Sequence, residues 1–149
     1  MITHTTEIAV RALLYIARHG DGHPVAVQEA AGRIGASPAY AAKIVGALVK
    51  AGILSSQRGM GGGVALTRAP SEITLLQIVK ACQGLLTEVY RQNLGEEECE
   101  PCGYHLAMQE LHECLTGVLV AWTLERLMTR AVGRVDGEAN RECTMYMLG

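Results

Sequence analysis

Hydrophobic positions recur at helical spacing through most of the chain. In EIAVRALLYIARHG (residues 7–20), Ala9, Ala12, Leu13, Ile16 and Ala17 fall on one face, with Thr5 or Thr6 as N-cap and Gly20 as stop. After the turn DGHP, a second short helix fits AVQEAAGRIG and ends at Gly35. A third fits ASPAYAAKIVGALVKAG: Ser37 is placed to cap it, Pro38 takes the first helical position, and Ala41, Ile44, Val45 and Leu48 form its apolar face. Two short helices joined by a glycine-containing turn predict a helix-turn-helix.

The period then changes. Ile53-Leu54 and Val64-Ala65-Leu66 read as two short strands around the glycine-rich tip QRGMGGG, a hairpin with Arg58 at its edge. A helix-turn-helix followed by a hairpin is a winged helix. SEITLLQIVKACQG predicts a fourth helix, with Ser71 or Thr74 as cap, Cys82 on its apolar side and Gly84 as stop. Residues 85–103 are acidic, contain a proline and lose periodicity, which predicts a loop. From 104 to 130 one long helix is expected, with Leu111, Cys114, Leu115, Val118, Leu119, Ala121, Trp122 and Leu124 covering more than one face. So broad an apolar surface exceeds what packing on a small winged domain requires and suggests a dimerisation helix, the alternative being a core helix of a monomer. The tail 131–149 reads as mobile. The expected organisation is a mainly α winged helix-turn-helix domain (1–84) with a two-stranded wing, a cysteine-bearing loop (85–103), a long C-terminal dimerisation helix (104–130) and a tail.

Composition supports helices: there is no Phe, one Trp and five Tyr among 149 residues, so the core is built from Ala, Leu, Val, Ile and Met. No apolar run reaches the roughly 20 residues that span a bilayer, and the start is not a basic signal peptide. The expected location is the cytoplasm, where cysteines are normally reduced and clustered Cys/His point to metal or redox chemistry. The net charge of −2 hides an asymmetry: residues 1–70 carry seven Lys/Arg and three acids, residues 71–149 six Lys/Arg and twelve acids. A basic first half suits a nucleic-acid module.

Candidate DNA-contacting residues lie at the start of the third helix and on the wing. Ser37, Pro38, Tyr40 and Lys43 occupy the end of a recognition helix that meets base edges and phosphates. Arg58, Gly59, Gly61 and Gly62 form a tip able to approach a minor groove or a phosphate. Each has a plainer reading as helix cap, packing aromatic or hairpin glycine, but their order and spacing reinforce one another. No catalytic site is expected. GMGGGVAL lacks the Gly-Lys-Ser/Thr of a phosphate loop, and nothing before Cys99 reads as the parallel sheet of a thioredoxin-like enzyme.

The run ASPAYAAKIVGALVKAGILSSQRGMGGGVALTRAPSEITLLQIVKACQG resembles the DNA-binding half of the IscR/NsrR/CymR superfamily of bacterial winged-helix regulators, most specifically in RGMGGGVALTRAPSEITLLQIV. TEIAVRALLYIA resembles the opening helix of that family, and the likeness extends over roughly residues 2–130. It implies a homodimeric transcriptional regulator, such as a repressor, on palindromic double-stranded DNA. Where iron–sulfur members often carry Glu on the recognition helix, this chain has Ala42, so the family's target sequence does not carry over.

Cluster-binding members hold three cysteines in the loop before the dimer helix, some followed by histidine. In EEECEPCGYH, Cys102 and His105 match the final Cys-x-x-His pair. Cys99 lies three residues before Cys102, where the family spacing is six, and no third cysteine precedes it in the loop. Some relatives add a carboxylate from the first helix of the other subunit, and Glu7 matches that position, as a Glu where one relative type has Asp. The resemblance therefore implies a Cys99/Cys102/His105/Glu7 site for an iron–sulfur cluster, [2Fe–2S] fitting the few thiolates better than [4Fe–4S]. His112 and Cys114 are reserve ligands, Cys114 being read as core. Zinc at the same residues, a Cys99–Cys102 dithiol switch, heme, or a small-molecule effector with no metal remain open.

Overall fold

In the computed structural model, residues 2–20, 23–59, 61–84 and 102–130 are described. Helix α1 (His4–His19) starts two or three residues earlier than expected, because Thr3 is the cap and its Oγ1 accepts the Thr6 N–H at 3.4 Å. Thr5 and Thr6 are therefore inside the helix. Thr6 is buried, and its hydroxyl donates to Gln83 Oε1 at 2.8 Å, which satisfies a polar group that burial would otherwise leave costly.

Helix α2 (Val27–Ile34) ends on Gly35 at φ 68°, a left-handed residue that only glycine adopts without strain. Helix α3 (Pro38–Lys50) begins as expected: Ser37 Oγ accepts the Tyr40 N–H at 3.3 Å, and Ala41, Ile44, Val45 and Leu48 are buried. Strands β1 (Leu54–Gln57) and β2 (Gly63–Leu66) form an antiparallel hairpin with Leu54 opposite Leu66 and Gln57 opposite Gly63. Val25 adds a bridge to the far edge of β2, Val25 N–H to Val64 O at 2.9 Å and Val64 N–H to Val25 O at 2.8 Å. Gly63 is required there, since a Cβ would collide with the Val25 carbonyl.

A single 3₁₀ turn (Pro70–Glu72) leads into α4 (Leu75–Gln83). Thr74, rather than Ser71, caps α4 in a reciprocal box with Gln77: Thr74 Oγ1 accepts the Gln77 N–H at 3.4 Å and Gln77 Oε1 accepts the Thr74 N–H at 3.0 Å. Leu13, Ile34, Leu48, Ile53, Leu54, Ile73, Ile78 and Leu124 fill the shared interior with less than 2% exposure each. Cys82 packs against this core, and burial raises its thiol pKa, so it stays protonated at neutral pH. The fold is a winged helix-turn-helix.

The helix expected over 104–130 is instead two helices, α5 (Gly103–Ala121) and α6 (Leu124–Arg130). Trp122 is extended (φ −99°, ψ 112°) and Thr123 forms a bridge with Thr74. Leu75 N–H donates to Trp122 O and Leu124 N–H to Ile73 O, both at 2.8 Å. These two bonds to the strand-like lead into α4 interrupt the helix between Ala121 and Leu124, and the break delivers Leu124 into the core. Arg126 supports it by donating to the Ala121 carbonyl at 2.9 Å while lying 4.3 Å over the Trp122 ring.

Helix α5 itself buries no residue completely. His105, Met108, His112, Thr116 and Leu119 are half-buried on the side toward α4, whereas Tyr104, Leu111, Leu115 and Val118 are 48–62% exposed on the outer side. Cys114, read from sequence as core, is exposed. Its place in the apolar pattern belongs to that outward surface. No helix among the described residues is long and apolar enough to cross a membrane. The expected loop up to residue 101 and the tail lie outside the described residues.

Candidate nucleic-acid interface and sensor residues

The exposed face of α3 comprises Ser37, Pro38, Ala39, Ala42, Lys43, Gly46 and Lys50. Its small side chains would let the helix approach a groove closely, and the lysines give it positive charge. Gly46 and Lys50 were missing from the sequence-derived set. They lie seven residues beyond Ala39 and Lys43, so helical spacing alone identifies them. The charge is also uncontested in sequence: no Asp or Glu occurs between Glu29 and Glu72, a span holding Arg33, Lys43, Lys50, Arg58 and Arg68.

Ser37 is exposed at the helix start, using its oxygen to accept the Tyr40 N–H and leaving its hydroxyl hydrogen directed by whatever acceptor approaches. Tyr40, expected at the DNA surface, turns inward. It is half-buried, with its hydroxyl 2.8 Å from Thr5 Oγ1 on α1. On the wing, Arg58 is exposed beside Gly59 (φ 109°) and Gly61 (φ 78°), both left-handed. Gly62 N–H closes the turn on Gly59 O at 3.0 Å, and a Cβ at Gly62 would strike the Gln57 and Gly59 carbonyls. The wing glycines are thus demanded by the turn itself, which in turn projects Arg58.

At the other candidate site, Cys102 is the N-cap residue of α5, exposed, and makes no side-chain capping bond. Its Sγ lies 3.1 Å from His105 Nδ1, and the His105 ring meets Tyr104 edge-on with centroids 6.0 Å apart. Exposed at the start of the helix, the sulfur is open to a metal or a reactant. Glu7 sits in the first turn of α1, partly exposed, with Oε2 3.6 Å from His4 Nδ1. Within one chain, no group of three or more His, Cys, Asp or Glu among the described residues can hold a metal. The structure therefore brings Cys102 and His105 together and keeps Glu7 apart from them, while Cys99 lies outside the described residues. The reserve ligand His112 lies within 3.4 Å of Thr116 Oγ1. Two adjacent soft and borderline donors on one accessible turn fit an iron–sulfur cluster or a zinc ion as a partial ligand set.

Comparison with known proteins identifies the family. The Rrf2 family, described as iron-dependent transcriptional regulators, matches residues 2–130. Protein aau3 of Rhizobium meliloti is 32% identical over 130 residues, covering 85% of this chain and 84% of the relative. The HTH-type transcriptional regulator IscR of Photorhabdus laumondii is 30% identical over 148 residues, covering 94% and 89%. The solved structure of CymR, the global cysteine regulator of B. subtilis, superposes with a TM-score of 0.71 at 25% identity, over 87% of this chain and 97% of that one. The chain belongs to the Rrf2 family of winged-helix, DNA-binding transcriptional regulators.

Proposed function

We propose that this regulator acts as a cytoplasmic homodimer on a palindromic operator, and that an iron–sulfur cluster of the [2Fe–2S] type held by Cys99, Cys102 and His105, with Glu7 from the partner subunit, controls its operator affinity. The observation that carries the reading is the Cys102 Sγ–His105 Nδ1 pair at the exposed N-terminus of α5. It is supported by the similarity to IscR and by the description of the family as iron-dependent.

The outer face of α5, with Tyr104, Leu111, Leu115 and Val118, supplies the dimer contact. Two copies then present two α3 helices to successive major-groove segments, as a two-fold operator requires. When bound, the cluster supplies a redox- and ligand-sensitive centre. This chain's own part is to provide thiolate and imidazole donors on one turn, to keep them reachable, and to tie the helix that carries them to α4.

Anaerobic purification followed by iron and acid-labile sulfide analysis tests this. Wild-type protein is expected to contain both in equal amount, and Cys102→Ala to retain less than about a tenth of either, since outright ligand loss exceeds the 10- to 100-fold effect of outer-shell changes. Glu7→Ala is expected to speed cluster loss while leaving folding intact. A protein holding only zinc, or full iron retention in Cys102→Ala, contradicts the cluster.

A second reading keeps the same fold with a thiol-disulfide or zinc switch at Cys99 and Cys102. The likeness to CymR, a cysteine regulator, and the exposed Cys102 thiol favour it. The same metal analysis separates the two.

A further inference from the structure

We propose that Tyr40 is a positioning residue: its hydrogen bond to Thr5, rather than a contact to DNA, sets the recognition helix, and this bond carries the state of the sensor region to the operator. The two hydroxyls are 2.8 Å apart and join the first turns of α1 and α3 across 35 residues of sequence. Tyr40 is the third residue of α3, and Ser37 Oγ accepts its N–H at 3.3 Å. Both ends of the residue are thus engaged within the protein, at the end of the helix that meets base edges.

Thr5 stands in a junction. On either side of it, Thr3 N–H, Thr3 Oγ1 and Thr6 Oγ1 all bond to Gln83 Oε1, at 3.0, 2.7 and 2.8 Å. Gln83 is the last residue of α4, after which the chain runs toward Cys99 and Cys102. Glu7 lies two residues beyond Thr5 on the same helix. A displacement of the end of α4, or a pull on Glu7, therefore moves Thr5, and Thr5 holds Tyr40.

Polar bonds suit this task better than the apolar core of α3. A protein hydrogen bond is worth only about 0.5–1.5 kcal/mol net, so it can yield to a modest force while Ile44 and Leu48 keep the helix docked. The regulatory half of this proposal rests on the function proposed above; the positioning half requires only that α3 meets DNA.

The test is a double-mutant cycle in operator affinity with the dimeric, full-length protein, using Thr5→Val and Tyr40→Phe, which remove one hydroxyl each and little volume. Each is expected to weaken binding about three- to tenfold, the range one hydrogen bond spans. The double variant is expected to be no weaker than the weaker-binding single, and Thr5→Ser, which keeps the hydroxyl, to bind like wild type. Independent multiplying effects, an effect of Tyr40→Phe alone, or no effect from either variant overturns the positioning role.

A second arm compares cluster-loaded and stripped protein. In Tyr40→Phe the ratio of their affinities is expected to fall several-fold toward one, whereas an unchanged ratio overturns the regulatory role. If wild-type protein carries no cluster, or its two forms bind alike, the function proposed above fails, the regulatory role falls with it, and the cycle decides the positioning role separately.

Discussion

Leu124→Ala is expected to destabilise the protein by about 2–5 kcal/mol, the range for truncating a fully buried leucine. Leu124 is 0% exposed and is delivered to the core by the break at Trp122–Thr123. It shares the buried cluster with Ile73 and Ile78, and its own N–H is fixed to the Ile73 carbonyl at 2.8 Å. The site cannot collapse without pulling that backbone pairing apart, which places the cost toward the upper half of the range. Chemical denaturation of wild type and variant measures it. Because Leu124 anchors the chain just past the break that ends α5, the variant should also loosen α5 against the winged domain, seen as faster amide exchange in residues 119–126 than in α3. A loss below about 1 kcal/mol would mean that α6 is not part of the core.

The second large effect is expected at the charged interface. Lys43 projects from the exposed face of α3 and Arg58 from the wing turn. Replacing both by alanine should lower operator affinity about ten- to hundredfold at physiological salt. It should also reduce the slope of log affinity against log salt by about 1.8 per subunit, since each phosphate contact contributes about 0.9. Neither side chain is buried, so the thermal midpoint should barely change. If the slope stays the same while affinity falls, the two residues read bases rather than neutralise phosphate. If neither changes, α3 and the wing do not form the interface.

Much of the DNA-binding half was legible because its signals are local. Ser37-Pro38 before an apolar face, Gly35 after one, and a glycine run between two short apolar stretches each act within a few residues. What was not legible depends on distant partners. Nothing in Ala121-Trp122-Thr123-Leu124 breaks helical periodicity, and the interruption exists because Ile73–Leu75 offers backbone groups to pair with. Three threonines compete to cap α1, and the choice of Thr3 is tied to Gln83, eighty positions away. Tyr40 was placed at the DNA surface by its position on α3, and its hydrogen bond to Thr5 on α1 leaves no local mark in the sequence. Cys114 illustrates a different gap: an apolar helical position can serve the interior of a chain or the surface between chains, and sequence periodicity does not distinguish the two. The candidate sensor was legible in part. Cys102 and His105 meet on one helical turn, as their spacing implies, whereas placing Glu7 with them requires a second subunit.

Operator binding with and without the cluster tests the central claim most directly. A duplex is selected from a random-sequence pool by the anaerobically purified protein, using whichever of the loaded and stripped forms retains DNA, and both forms are then titrated against it at one fixed salt concentration. The account predicts that the two affinities differ by at least about tenfold, a coupling of about 1.4 kcal/mol, and that Cys102→Ala behaves as the stripped form whatever its treatment. Equal affinity of the loaded and stripped dimers, or no duplex retained by either, would contradict it.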